Sequence, residues 1–219
     1  EGKDADQLAQ AVEAHTRDVL LLLRNSGIKV EWVQVGHEVT NGMLWPEGKC
    51  DSYPQNFATI FKAGAKAAKT VYPKTKVVLH IENGWAYWTP DWTLGQLNKN
   101  GAKQAYDIIG LSYYPTEMLK HKDAADLKIK NWNDGNDAIV KNMEMWVRSL
   151  SKKVMIVEFG YESDKLAEAQ QCLSDLISQT SKIKSFEGIM MWEPQSYNGW
   201  AGNQLGLFTK DGKPGVVFK

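Results

Sequence analysis

Short runs of consecutive apolar residues recur along the chain, and most are followed by a polar loop and then by apolar residues at helical spacing. Five runs predict strands at residues 32–35, 76–81, 107–114, 154–158 and 188–193. Helical spacing predicts helices at about 4–25, 56–70, 94–103, 137–150 and 165–181. The strand runs are continuous rather than alternating, which is typical of a parallel sheet covered by helices on both faces. The pattern predicts an α/β fold, and because no linker-like stretch divides the chain, residues 1–219 are expected to form a single domain.

Polar and aromatic side chains follow or end most of the predicted strands. They are Glu38, His80, Tyr113, Glu158 and Trp192. Functional residues at the carboxyl ends of several strands are typical of (β/α)8 TIM barrels. A doubly wound sheet also binds ligands there, but the sequence has no GxGxxG or GxxxxGK[ST] phosphate loop. We therefore expect a TIM barrel, of which only about five βα units are visible in this chain.

Composition excludes some classes of partner. The 26 Lys and Arg residues balance 26 Asp and Glu residues, and a net charge of zero argues against nucleic acid or an anionic membrane, which would favour a basic surface. No apolar run approaches the roughly 18–20 residues that span a bilayer. Two cysteines, Cys50 and Cys172, permit one disulfide without forming a disulfide framework or a metal-binding motif. We expect neither nucleic acid nor membrane as a partner.

Two carboxylates, Glu38 and Glu158, stand out because each ends an apolar strand, where a charge is costly unless it faces a cleft or has partners. On one barrel they could approach a bound sugar from opposite sides, as glycoside hydrolysis requires. The alternative is that each forms an ion pair at the rim. A metal site built from His37, Glu38 and His80 is a weaker hypothesis, because the four histidines form no HxH or HExxH pair.

Aromatic residues are abundant, with nine Trp and eight Tyr. The cluster at residues 85–92 contains Trp85 and Trp88, which we interpret either as a platform for sugar rings or as a packed lid over the strand ends. Residue chemistry alone leaves both interpretations open.

Several motifs in chain order are specific enough to indicate a family. They are VQVGHEV at residues 33–39, NGMLWPEG at 41–48, GLSYYP at 110–115, VEFGY at 157–161 and WEP at 192–194. This series resembles the fourth and the sixth to eighth strands of glycoside hydrolase family 53, the endo-β-1,4-galactanases of clan A. The resemblance implies a TIM barrel, retaining hydrolysis of β-1,4-galactan, and no cofactor in the chemistry.

The resemblance also implies roles for individual residues. Glu38 would be the general acid/base and Glu158 the nucleophile, with carboxyl groups about 5–5.5 Å apart in a retaining mechanism. Either Tyr113 or Tyr114 would hydrogen-bond the nucleophile; alternation along the strand lets only one face the cleft, and Tyr113 is the expected one. Trp192 would form the floor under the reacting sugar. His80, which ends the fifth strand of the whole barrel, would face the same cleft.

The sequence departs from the family pattern in two ways. His37 stands where the family has an Asn that binds the sugar 2-hydroxyl, and imidazole can donate a similar hydrogen bond. Aligned this way, the chain also opens in the helix before the fourth strand. A missing N-terminal segment or a partner chain would then complete the barrel. These departures leave open a non-catalytic carbohydrate-binding or structural protein, and a clan A glycosidase for another β-1,4-glycan. Secretion or a cell-surface location is implied only by the polysaccharide substrate.

Overall fold

Five strands form one sheet, in which each strand pairs with the next along the chain. The computed structural model describes residues 2, 4–199 and 204–218. The strands are parallel and lie in chain order; they are β1 (Trp32–Gln34), β2 (Lys76–Ile81), β3 (Ile108–Tyr113), β4 (Lys153–Phe159) and β5 (Phe186–Met191). β1 pairs with β2 in the register Val33 to Val77, and β4 pairs with β5 with shifts in register along its length.

Helices alternate with these strands. They are α1 (Ala5–Asn25), α2 (Pro54–Val71), α3 (Trp88–Lys99), α4 (Pro115–Met118), α5 (Lys122–Asp126), α6 (Trp132–Leu150) and α7 (Leu166–Thr180). Local chemistry fixes several of their ends. Asp4 caps α1 in a capping box with Gln7, and Asn131 caps α6 by accepting from the Asp134 N–H at 3.0 Å. None of the described helices is both long and apolar enough to cross a membrane.

Contacts divide the chain into two compact units. The first comprises Glu1–Glu82 and Trp88–Gly110, and the second comprises Asn83–Tyr87 and Leu111–Lys219. In the first unit, α1 packs on α2, and α2 buries Phe57, Ile60 and Phe61. The core of the second unit has large buried side chains that include Tyr113, Trp146, Phe159 and Tyr161. The expectation of a single domain stays a prediction.

Most predicted elements are present, with differences at their ends. The predicted β2 is confirmed at both ends, whereas α3 begins at Trp88 and α6 at Trp132, each earlier than predicted. The short helices α4 and α5 were not predicted. A helix of one turn lacks the repeated apolar positions from which periodicity is recognised.

Burial differs between the strands. Every residue of β3 is buried, as is every residue of β2 after Lys76. β1 and β5 are partly exposed, and Trp32 and Met190 have 38% and 42% of their surface exposed. The middle of the sheet is therefore buried, as the continuous apolar runs predict, whereas the two end strands are partly exposed.

Candidate active site

The carboxylate of Glu38 is carried by a tight turn after β1. Glu38 has left-handed backbone angles, φ 45° and ψ 56°, and begins a 3-10 turn at Val39–Asn41. The preceding Gly36 has φ 77°, and a Cβ there would lie 2.5 Å from Cγ1 of Val39. Non-glycine residues in this backbone region are uncommon and concentrate at functional sites. Glu38 is half-buried, so solvent or a ligand can reach its side chain.

Two histidines meet beside this turn. The rings of His37 and His80 are in edge-to-face contact, with centroids 4.9 Å apart and planes at 81°. His37 is exposed, whereas His80, in β2, is completely buried. Burial is the main cause that lowers the pKa of His80 to about 4, and the charge of His37 adds to it. His80 is therefore neutral near pH 7.

A second carboxylate, Glu82, follows β2 in the same unit. Thr40, in the turn that Glu38 begins, donates a short hydrogen bond to Oε2 of Glu82. Burial raises the pKa of Glu82, and the nearby charge of Glu38 raises it further, while the hydrogen bond from Thr40 opposes both. Thr40 and Glu82 thus connect the turn of Glu38 to the end of β2. We call His37, Glu38, Thr40, His80 and Glu82 the Glu38 group.

The second unit contains a group around Glu158, near the end of β4. The hydroxyl of Tyr114 donates a hydrogen bond to Oε2 of Glu158 at 2.6 Å. The Tyr114 ring contacts Trp192 edge-to-face, with centroids 6.1 Å apart. Gly160 makes room for this arrangement, because a Cβ at that position would lie 2.7 Å from Cε1 of Tyr114. We call Tyr114, Glu158 and Trp192 the Glu158 group.

The expectation that Tyr113 hydrogen-bonds Glu158 is wrong. The Tyr113 side chain is completely buried, and its hydroxyl donates to Oδ1 of Asn136 at 2.9 Å. Tyr113 is the last residue of β3 and faces the core, whereas Tyr114 follows the strand and faces Glu158. Only one of the two tyrosines meets the carboxylate, as alternation along the strand predicts, and it is Tyr114.

The aromatic residues at 85–92 differ in exposure. Trp85 is 2% exposed and packs edge-to-face on His121, with centroids 5.6 Å apart. Its surroundings match a packed role, the second of the two sequence interpretations. Trp88 is half-buried at the start of α3, and Tyr87 and Trp92 are exposed. A role for Trp88 in substrate binding stays a prediction.

Sequence reasoning missed Glu82 and passed over Tyr114 and Glu193. Glu82 directly follows a strand that was predicted at its observed bounds, so the rule that selected Glu38 and Glu158 could have found it. Glu193 directly follows Trp192, has φ 39° and accepts a hydrogen bond from the Ser196 hydroxyl at 3.3 Å. Left-handed backbone conformation is the feature that Glu38 and Glu193 share, and it has no signal in the sequence.

Comparison with known proteins agrees with the motifs. The sequence model of glycosyl hydrolase family 53 matches residues 1–184. An arabinogalactan endo-β-1,4-galactanase of Thermothelomyces thermophilus is 26% identical over 204 residues, which are 87% of this chain and 60% of the relative. A probable arabinogalactan endo-β-1,4-galactanase A of Aspergillus fumigatus is 37% identical over 117 residues, 51% of this chain and 33% of the relative. The chain therefore spans about 60% or less of the length of these relatives.

Solved structures show the same fold. A fungal β-1,4-galactanase superposes with a TM-score of 0.82 at 23% identity, covering 98% of this chain and 68% of the other. The GH53 catalytic domain of Ignisphaera aggregans gives 0.77 at 20% identity, covering 99% of this chain and 65% of the other.

The fold is that of a (β/α)8 TIM barrel, of which this chain contains five βα units. The family match extends over most of the sequence and agrees with the independent structural likeness. The chain belongs to glycosyl hydrolase family 53, and the resemblance inferred from its motifs is confirmed.

Proposed function

We propose that the chain hydrolyses internal β-1,4-galactosidic bonds of galactan or arabinogalactan with retention of configuration, using Glu38 as general acid/base and Glu158 as nucleophile. Family membership supports the reaction class, and the names of the curated relatives support the substrate. The relatives are longer than this chain, so the proposal concerns what these residues do in the working molecule.

Each proposed step assigns one proton or one bond to a named side chain. Glu38 starts protonated and gives its proton to the departing glycosidic oxygen while the Glu158 carboxylate attacks the anomeric carbon. The resulting glycosyl ester on Glu158 is hydrolysed by a water from which Glu38, now ionised, removes a proton. Both carboxyl groups return to their starting states, and no cofactor takes part.

The observation that carries the proposal is the hydrogen bond from Tyr114 to Glu158. A phenol that donates at 2.6 Å favours the ionised carboxylate and fixes the direction of its oxygens, which is what a nucleophile requires. Trp192 packs on the same tyrosine and offers a flat apolar surface beside the carboxylate. We propose that Trp192 supports the reacting sugar and that His37 replaces the amide donor to its 2-hydroxyl.

The decisive experiment is the release of reducing ends from linear β-1,4-galactan, with mannan and xylan as control substrates. We expect turnover on galactan, and a loss of about 10³-fold or more in both Glu38→Gln and Glu158→Gln. Glu144→Gln is the matched control, because Glu144 lies on α6 and forms a helical ion pair with Arg148. This control should retain the activity of the unchanged chain.

Other outcomes separate the remaining hypotheses. Turnover on mannan or xylan but not galactan would contradict the substrate while keeping the two glutamates. Binding of galactan without any turnover would favour a carbohydrate-binding protein descended from the family. The proposal includes a secreted or cell-surface location, because the substrate is a polysaccharide. It also includes a further segment or partner chain that completes the barrel, because a (β/α)8 barrel has eight strands and the described part of this chain has five.

A further inference from the structure

The turn that carries Glu38 is not capped by its own first residue. Glu38 occupies the N-cap position of the 3-10 turn at Val39–Asn41, and its side chain makes no capping hydrogen bond. The N–H groups at the start of a helical turn have no acceptor within the turn, and the side chain of the N-cap residue usually supplies one. At this position the side chain is the carboxylate to which the proposed function gives the chemistry. An acceptor from another segment is therefore needed.

Glu82, which directly follows β2, supplies that acceptor. Its Oε2 accepts a hydrogen bond from the hydroxyl of Thr40, the second residue of the turn. The backbone N–H of Thr40 also lowers the pKa of Glu82, as a donor to the carboxylate does. One carboxylate thus binds both the side chain and the backbone of Thr40, across a separation of 42 residues in the sequence.

Thr40 is held by a second element as well. It is 8% exposed, and its carbonyl oxygen accepts a hydrogen bond from the Thr93 hydroxyl at 3.4 Å. Thr93 lies in α3 and is completely buried. Bonds to the end of β2 and to α3 leave Thr40 little freedom to move. Glu38 lies two residues before Thr40, so these bonds restrict its backbone too.

The backbone of Glu38 requires this restriction. Its φ of 45° and ψ of 56° lie in the left-handed region, which residues other than glycine adopt uncommonly. Rotation to the right-handed or extended region would change the direction of the Cα–Cβ bond and carry the carboxyl group away from its present place. Bonds that fix Thr40 oppose this rotation. A general acid misplaced by about 1 Å can lose about 100-fold in rate, so the direction of this bond matters to the chemistry.

Charge favours the same arrangement. The negative charge of Glu38 raises the pKa of Glu82, so the two carboxyl groups interact. Protonation of Glu38 removes this repulsion and favours the ionised form of Glu82, which is the stronger acceptor for Thr40. In the proposed reaction Glu38 begins protonated. The bond that holds the turn is therefore strongest in the state that donates the proton.

We propose that Glu82 is a positioning residue, which acts through Thr40 to hold Glu38 in the direction that protonates the departing glycosidic oxygen. This inference rests on the proposed function, because it takes Glu38 as the general acid. The proton passes from Glu38 to the glycosidic oxygen, and Glu82 stays bound to Thr40 without taking part in the transfer. Glu82 is then needed most by substrates whose leaving group must be protonated.

The test compares kcat/KM on galactan with kcat/KM on a dinitrophenyl β-galactoside, whose phenolate leaves without a proton. Thr40→Val removes the hydroxyl and keeps the shape of the side chain. It should lower kcat/KM on galactan about 10- to 100-fold and on the dinitrophenyl substrate less than about threefold. Thr40→Ser keeps the hydroxyl and should restore most of the loss. A merely structural defect would lower both values alike.

Two further variants link the effect to Glu82. Glu82→Met removes the acceptor and should give the same difference between the substrates, and the double variant with Thr40→Val should lose no more than either single variant. The matched control is Thr75→Val, because Thr75 is also buried and its hydroxyl donates to the Glu31 carbonyl at 3.1 Å, before β2 begins. It should change both values of kcat/KM less than about threefold. Circular dichroism shows whether each variant is folded.

Equal losses of Thr40→Val on the two substrates, or additive losses in the double variant, would overturn the positioning role. Glu38→Gln, measured in the same way, tests the proposed function. A loss confined to galactan in Glu38→Gln, together with equal losses in Thr40→Val, removes the positioning role and leaves the proposed function. Equal losses of Glu38→Gln on both substrates, or no hydrolysis by the unchanged chain, contradict the proposed function and the role of Glu82 with it.

Discussion

Two adjacent tyrosines have opposite surroundings, and each carries a different part of the second unit. Tyr113 is the last residue of β3, and its hydroxyl bonds Asn136 in the core. Tyr114 follows the strand, and its hydroxyl bonds Glu158. Asn136 is itself buried and donates to the Cys172 carbonyl and to Asp175. Loss of the Tyr114 hydroxyl should therefore affect catalysis, and loss of the Tyr113 hydroxyl should affect the stability of the fold.

We predict that Tyr114→Phe lowers kcat/KM on galactan about 10- to 100-fold with little change in the free energy of unfolding. The phenol fixes the direction of the Glu158 carboxylate, and a 10- to 100-fold loss corresponds to about 1.4–2.7 kcal/mol of transition-state stabilisation. Glu158 is only half-buried, so water can replace the lost hydroxyl in the folded chain. Tyr113→Phe should instead lower the free energy of unfolding by about 1–3 kcal/mol, because Oδ1 of Asn136 loses a buried donor. Steady-state kinetics and urea unfolding of both variants check this. Equal kinetic losses in the two variants would contradict it.

The buried His80 makes the stability of the chain depend on pH. Its pKa is lowered from 6.5 to about 4 in the folded protein. As the pH falls below 6.5, His80 is protonated in the unfolded chain before it is protonated in the folded chain. The free energy of unfolding therefore decreases from pH 6.5 down to about pH 4. The shift corresponds to about 3 kcal/mol. Glu82 acts in the opposite direction, because its raised pKa favours the fold at low pH.

We predict that His80→Gln loses less stability than the unchanged chain between pH 6.5 and about 4. Urea unfolding at several pH values gives the slope of the free energy of unfolding against pH for each protein, and the two slopes are compared. His15→Gln is the control, since His15 is an exposed histidine on α1, and it should reproduce the slope of the unchanged chain. Identical slopes in all three proteins would mean that His80 does not titrate as its burial requires.

At the level of elements, the sequence predicts strands and long helices, whose apolar positions form a repeated pattern. It misses one-turn helices and tight turns, which have no such pattern. Continuous apolar runs located all five strands, and the run at residues 76–81 was confirmed at both ends. The helix at Pro115–Met118 is one turn long, so no periodicity could reveal it. The conformation of Glu38 depends on the close approach of Gly36 to Val39, which is local but follows no repeat. It also depends on the Thr40 bond to Glu82, which joins segments far apart in sequence.

The loop at residues 41–50 shows how two glycines determine an element. We predict that Gly42→Ala lowers the free energy of unfolding by about 2–4 kcal/mol, because its φ of 87° and a contact of 2.0 Å with the Gly48 carbonyl both oppose a Cβ. Urea unfolding measures this effect.

Gly95→Ala is the matched control for this loop. Gly95 lies inside α3, and a Cβ there would meet nothing within 4 Å. It should raise the free energy of unfolding by about 0.5–1 kcal/mol, because alanine is the better helix former. A Gly42→Ala protein that is as stable as the unchanged chain would mean that the loop has freedom to relax.

At the scale of the whole molecule, motifs carried more information than patterning. Periodicity gave parallel strands and helices, but an α/β sheet of five strands is compatible with several folds. Polar residues at the carboxyl ends of the strands favoured the TIM barrel, and the order and spacing of the motifs indicated the family. The family match and the fungal galactanase structure agree with both predictions. Neither source could give the tyrosine that bonds Glu158, because that depends on how Gly160 and Trp192 pack around Tyr114.

The proposed division of labour between Glu38 and Glu158 is a statement about the whole working molecule, and stereochemistry tests it. A retaining pair releases the β-anomer first, which proton NMR detects before mutarotation, whereas an inverting pair releases the α-anomer. With azide added and a dinitrophenyl β-galactoside as substrate, whose phenolate leaves without a proton, Glu38→Ala should form the β-galactosyl azide, because azide replaces the water that Glu38 would activate. Glu158→Ala should form the α-galactosyl azide, because azide attacks from the face that Glu158 would occupy. Exchange of these two products would reverse the roles of the glutamates, and initial release of the α-anomer would contradict the retaining mechanism altogether.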